Sequence, residues 1–78
     1  MKTTQYFAYT RKRPDRAHIK DVWITQAIEH PARTEIQSDG RIKKWAKIEE
    51  ANKYLRVILL EDGKTVHNAF FDRSFQGE

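Results

Sequence analysis

Arg41, Lys43, Trp45 and Lys47 stand at alternate positions of one stretch, and Arg56 and His67 follow in the next two β-prone runs. Alternate residues of an extended chain share a face. Cations spaced this way track a phosphate backbone, and an aromatic among them stacks an unpaired base for roughly 1–3 kcal/mol. An imidazole beside an arginine moves a proton near neutral pH, because its unperturbed pKa is about 6.5. A base that activates a ribose 2′-hydroxyl and cations that stabilise charge on phosphorus oxygens are the parts metal-independent RNA cleavage requires. The plain alternative is that Lys and Arg stems cover Trp45 and Ile58 and hold their charges in water. His67 then serves as a hydrogen-bonded structural residue.

A second cationic group, Arg11, Lys12, Arg13 and Arg16, precedes the main helical stretch, and Arg73 follows the last β-prone run. These are accessory phosphate contacts, or else a solvated segment. His18 has no neighbour at a metal-binding spacing, and His30 reads as a helix cap. Nucleotide loops, zinc spacings and Ser/His/Asp sets are not recognisable, so no metal or cofactor is expected. The chain has no cysteine, which excludes disulfides and thiolate metal sites. A formal net charge of +4 favours a polyanionic partner such as RNA, or simply keeps a small domain in solution. The longest apolar run, Val57 to Leu60, is far short of the roughly 20 residues a bilayer needs, and a soluble, cytoplasmic protein is expected.

The elements that must position these residues begin with Tyr54 to Asp72, where two β-prone runs flank Asp62-Gly63. That dipeptide predicts a type I′ turn with positive φ at both residues and Glu61 facing Lys64. The ladder then pairs Leu59 with Val66, Ile58 with His67, Arg56 with Ala69 and Leu55 with Phe70. One face carries Leu55, Val57, Leu59, Val66 and Phe70, and the other carries Arg56, Ile58, His67, Ala69 and Phe71. Asn68 falls on the core face, where an unpaired amide is costly. It either satisfies a nearby helix end or loop, or marks a strand irregularity between Thr65 and Ala69 that turns it, with His67, toward a site.

Ala32 to Glu50 predicts another hairpin around Ser38-Asp39-Gly40-Arg41. A three-residue loop with left-handed Gly40 pairs Ile36 with Ile42 and Glu35 with Lys43, as the hydrophobic pattern requires. Thr34, Ile36, Ile42, Ala46 and Ile48 then share the core face, with Lys44 the exception. A tight connection at Ala51-Asn52 sets Trp45 opposite Ile58 and Lys47 opposite Arg56. A row Trp45, Ile58, His67 thus crosses three strands on the face away from the helix.

Asp15 to His30 predicts one main helix, started by Pro14 and Asp15 and ended by Pro31. At about 100° per residue Ala17, Ile19, Trp23, Ile24, Ala27 and Ile28 fall within one half of the wheel, which makes Trp23 a core residue. Gln5 to Thr10 reads as a short edge strand or an extended arm. The fold class is α+β: one main helix on a four-stranded antiparallel meander, with an extra N-terminal strand. The chain makes one domain, 1–78, flexible at 1–4 and 76–78, with Phe75 tucking back.

The order of elements resembles a family of small bacterial domains related to the RelE- and BrnT-type ribonuclease toxins. The resemblance rests on the helix with Ile19 and Ile24 ending in Glu29-His30-Pro31, then Asp39-Gly40-Arg41, Tyr54-Leu55-Arg56-Val57 and Thr65-Val66. It implies a helix-plus-antiparallel-sheet fold, RNA as substrate and an antitoxin-like protein partner. Where such domains often carry a histidine before the helix isoleucine, this chain has Arg11, Lys12 and Arg13. His67, Arg56 and Arg73 are therefore chosen by position and chemistry. The expectation is a small basic RNA-binding domain of toxin-like ribonuclease type, with His67 and Arg56 catalytic. Arg41, Lys43, Trp45, Lys47, Arg11, Lys12, Arg13 and Arg73 would hold the nucleic acid. The alternative is a non-catalytic protein–protein interaction module that docks through an open strand edge or the mixed face.

Overall fold

The computed structural model describes residues 1–75, and the stretch 76–78 expected to be flexible lies outside them. Two helices, α1 (Gln5–Thr10) and α2 (Asp21–Glu29), precede β1 (Arg33–Ile36), β2 (Ile42–Ile48), β3 (Lys53–Leu59) and β4 (Val66–Phe71). The strands form one antiparallel sheet in the order β1-β2-β3-β4. The α+β class and the meander agree with the sequence reading, but two helices replace the single main helix.

The expected N-terminal strand is instead α1. Thr4 caps it, its hydroxyl accepting from the Phe7 N–H at 3.1 Å. Phe7 and Thr10, three positions apart, are buried, whereas Tyr6 and Tyr9 are 51 % and 76 % exposed. An alternating strand would have treated Phe7 and Tyr9 alike. The only strand-like feature here is a parallel bridge between Thr3 and Val66, in which Thr4 N–H donates to Val66 C=O and Val66 N–H to Lys2 C=O.

The expected helix from Asp15 begins six residues later. Residues 11–18 form successive turns, and Lys20 is extended (φ −79°, ψ 145°), so the helical path breaks before Asp21. Asp21 then supplies the first-turn carboxylate expected of Asp15, and it pairs with Arg11. Trp23, Ile24 and Ala27 are buried as expected, but Ala17 is exposed. At the other end Lys44 Nζ donates to the Ile28 carbonyl at 2.8 Å. The one cation on the core-facing side of β2 is thereby the group that caps the helix.

The first hairpin has the expected register, with Ile36 opposite Ile42 and Glu35 opposite Lys43. Gly40 takes the left-handed conformation, φ 89°. Ile36 is nevertheless 75 % exposed, and Thr34 is exposed too, against the expectation of a core face. The helices are too few to cover them: α2 packs on β2 and β3 and α1 on β4, which leaves β1 bare.

The next two connections differ from the sequence reading, with different consequences. Ile48 opposes Lys53, so a four-residue turn, with Asn52 at φ 53°, replaces the two-residue one and shifts the register by two. Trp45 therefore faces Arg56 and not Ile58. An even shift keeps every residue on its expected face. At Asp62-Gly63 only Gly63 has positive φ (69°), which rules out type I′. Asp62 instead gathers the N–H groups of Lys64 and Thr65, each at 2.9 Å, and the Thr65 hydroxyl. These bonds, Thr65's hydroxyl first, lower its pKa from 3.8 to about 2. The loop runs from Leu60 to Thr65, and the Leu60 N–H donates to the Thr65 carbonyl at 2.9 Å.

The β3–β4 ladder starts as expected with Leu59 opposite Val66, then jumps to Ile58 opposite Asn68. His67 is the extra residue of a β-bulge. Beyond it the expected faces exchange: Ala69 is fully buried, while Phe70 opposes Arg56. Asn68 thereby leaves the core. The irregularity was the second of the two readings of that residue, and it removes the cost of a buried amide.

Candidate nucleic-acid interface

The sheet register places Arg33, Trp45, Arg56 and Phe70 in one row across all four strands, on the side that α2 leaves uncovered. The row expected from the sequence was Trp45, Ile58, His67, and only Trp45 belongs to both. The Arg56 guanidinium lies 5.2 Å from the Trp45 ring centre and 5.4 Å from that of Phe70. Arg16, on the 11–20 segment, lies 5.2 Å from the other aromatic neighbour, Phe70, and donates to Asn68 Oδ1 at 2.6 Å. At the opposite end Phe75 stacks on Trp45 at 5.0 Å with planes 14° apart, and Arg33 lies 6.0 Å from Phe75. Guanidinium groups and aromatic rings thus alternate along the face, each contact worth about 0.5–1 kcal/mol where exposed.

Asp72 holds this row from beneath its rim. Its Oδ2 accepts from Trp45 Nε1 at 3.0 Å and lies 3.6 Å from Arg56 Nε, while Oδ1 accepts from Ser74. Burial raises the Asp72 pKa, but the bonds from Ser74 and Trp45 and the Arg56 charge outweigh it, and the group stays below 3.8. The buried Arg56 Nε has no hydrogen-bond partner among the described residues, so the charge of Asp72 compensates its desolvation.

Trp45 is 4 % exposed, because Phe75 covers it. The ring surface expected to stack a base is occupied. Lys43 and Lys47 flank the row on β2 and form no ion pair among the described residues. Arg41 sits in the first hairpin loop, 3.8 Å from Asp39. Arg11 pairs with Asp21 and covers Phe7, and Arg13 pairs with Asp15 at 3.6 Å. Lys12 is exposed, as is Arg73 beyond β4.

The bulge sends His67 out of the row. Its Nδ1 lies 3.2 Å from Thr4 Oγ1, and its ring stacks on Tyr6 at 5.0 Å. Burial, and then the Arg41 charge, hold its pKa below 6.5, so the imidazole is neutral at pH 7. The charged form is the one the fold disfavours: this contribution to stability is present above pH 6.5 and lost as pH falls through the lowered value. Among the described residues no hydrogen bond, ion pair or ring contact joins His67 to Arg56.

Sequence reasoning missed Arg33, Phe70 and Asp72, and it placed Arg16 in the separate cationic group before the helix without joining it to this row. The bulge hid Phe70, and one signal pointed to it: the misfit of Asn68 on a core face. Asp72 and Arg16 join only through chain segments outside the strands. Among the described residues no three His, Asp or Glu side chains are grouped to hold a metal ion, and no helix is long and apolar enough to cross a membrane.

Comparison with protein-family models, with curated proteins and with solved structures finds no match for the chain.

Proposed function

We propose that this protein binds single-stranded RNA on the face of the sheet that α2 leaves open. The observation that carries the reading is the row Arg33, Trp45, Arg56, Phe70, extended by Phe75 and Arg16 and flanked by Lys43 and Lys47. Unpaired bases stack on aromatic rings and guanidinium planes, and cations follow the phosphates. The half-buried rings of Phe70 and Phe75 take the stacking role in place of Trp45. Arg41 and the Arg11–Arg13 group are accessory contacts.

Cleavage is the narrower claim, in line with the resemblance to ribonuclease toxins. It assigns His67, neutral at pH 7, as the base toward a 2′-hydroxyl and Arg56 as the phosphate partner. The test is binding and incubation of a labelled single-stranded RNA with the wild-type protein and with Lys43→Gln/Lys47→Gln and His67→Ala. Affinity lost in the lysine variant and kept in His67→Ala supports binding on this face. RNA cut by wild type but intact with His67→Ala supports catalysis. Equal affinity in all three proteins, or preference for duplex DNA, rejects the reading.

One observation favours a second reading, a protein-docking module. β1 is an open edge strand with Ile36 75 % exposed, and such edges accept a further strand. An antitoxin-like partner would pair there.

A further inference from the structure

Two clefts adjoin at the end of the sheet where β3 begins and β4 ends. The first, about 270 Å³, is mainly aromatic, lined by Tyr54, Phe71 and Phe75 with Asn52 and Asp72 at its edge. The second, about 300 Å³, is mainly polar and is lined by Arg16, His18, Lys53, Phe70 and Arg73. Lys53, Phe71 and Arg73 line both, so the two clefts share one wall.

The charges in them are unequal. Asp15 is the single carboxylate lining the polar cleft, and it is already paired with Arg13 at 3.6 Å and Arg16 at 3.9 Å. Lys53 and Arg73 form no ion pair among the described residues. Lys53 Nζ lies 5.4 Å from the Phe71 ring centre, on the shared wall. Asp72 brings a negative charge to the aromatic cleft, but its oxygens are engaged by Trp45, Ser74 and Arg56. Phe75 lies 4.9 Å from Tyr54 at 59°, which gives the aromatic cleft walls at two angles.

We infer that the paired clefts hold one nucleotide, with its base among Tyr54, Phe71 and Phe75 and its phosphate against Lys53, Arg73 and Arg16. This rests on the RNA-binding reading for the choice of ligand and names where one nucleotide of the strand is gripped. The division follows chemistry: rings offer stacking surface to a base of any identity, and the unpaired cations offer charge-assisted hydrogen bonds to a phosphate. Asn52, exposed at the rim, supplies an amide that both donates to and accepts from a base edge. Each cleft alone is at or below the lower limit of about 300 Å³ for small-molecule sites, and together they suit a nucleotide.

The test is a titration of the full chain, followed by amide NMR, with adenosine monophosphate, adenosine and inorganic phosphate. The monophosphate is expected to shift Tyr54, Phe71 and Asp72 together with Arg16, Lys53 and Arg73, adenosine mainly the first group, and phosphate mainly the second. In Lys53→Gln/Arg73→Gln, affinity for the monophosphate falls about tenfold or more, and by a larger factor than that for adenosine. Absence of shifts at these residues, or phosphate binding as tightly as the monophosphate, overturns the inference. Single-stranded RNA is measured on the same proteins. RNA bound through Lys43 and Lys47 with no nucleotide shifts leaves the RNA reading standing and removes the paired clefts. Nucleotide shifts without RNA binding do the reverse.

Discussion

Asp62 shows how one carboxylate sets a turn. Its two oxygens satisfy two backbone N–H groups and a hydroxyl across the β3–β4 loop, and those bonds lower its pKa from 3.8 to about 2. A carboxyl with a depressed folded pKa adds stability that is complete above the unfolded value and lost as pH falls through the folded one. Asp62→Ala is therefore expected to have a lower urea midpoint than wild type at pH 7, with the difference closing between about pH 4 and pH 2. Parallel urea titrations at pH 7, 4 and 2 check this, and a difference that persists undiminished at pH 2 counts against the carboxylate. At Asn68 a polar residue at a position read as core was the audible sign of a bulge, and the structure satisfies its amide with Arg16.

Two elements took forms whose parity the sequence reading inverted or missed, and each has a test. Helical α1 buries Phe7 and exposes Tyr9. Phe7→Ala is expected to cost about 3 kcal/mol or more, and Tyr9→Ala less than about 0.5 kcal/mol, in chemical denaturation. Similar costs for both would fit the strand and not the helix. The bulge at His67 places Ala69, fully buried, against the core. Ala69→Leu should overpack it by about 1–3 kcal/mol. Without the bulge Ala69 would lie on the open face, where a leucine is tolerated, so an unchanged unfolding midpoint would refute the observed register. The contrast with β2–β3 explains why one error mattered more: a two-residue slip preserved faces there, and one inserted residue reversed them in β4.

For the whole molecule, a net charge of +4 is a modest field, and its arrangement matters more than its sum. Counterion release gives a salt slope of about −0.7 per neutralised phosphate for a single strand. The Lys43→Gln/Lys47→Gln variant should flatten the slope of log affinity against log salt by about 1.4 relative to wild type. Fluorescence anisotropy across a salt series measures it, and an unaltered slope would remove both lysines from the interface. Arg56 is a different case, since it pairs with Asp72 and packs between rings. Its loss would disturb the face itself as well as any bound phosphate.

The amino-acid order by itself determined the antiparallel meander, the Ile36–Ile42 register, the α2 stripe of Trp23, Ile24 and Ala27, and the projection of Lys43, Arg56 and Lys47 from one face. These follow from short-range rules, because periodicity and turn chemistry act within a few residues. Tertiary structure decided the break before Asp21, the folding of Gln5–Thr10 into a helix, the bulge, and the choice of Trp45 as the ring on which Phe75, expected to tuck back, comes to lie. In each of these, contacts between residues far apart in the chain accompany the local choice: Phe7 with the core of the sheet, Arg16 with Asn68, and Asp72 with Trp45. Such contacts form only once the sheet exists, so the sequence carries only a local trace of them, as Asn68 does for the bulge and the Thr4 cap for α1.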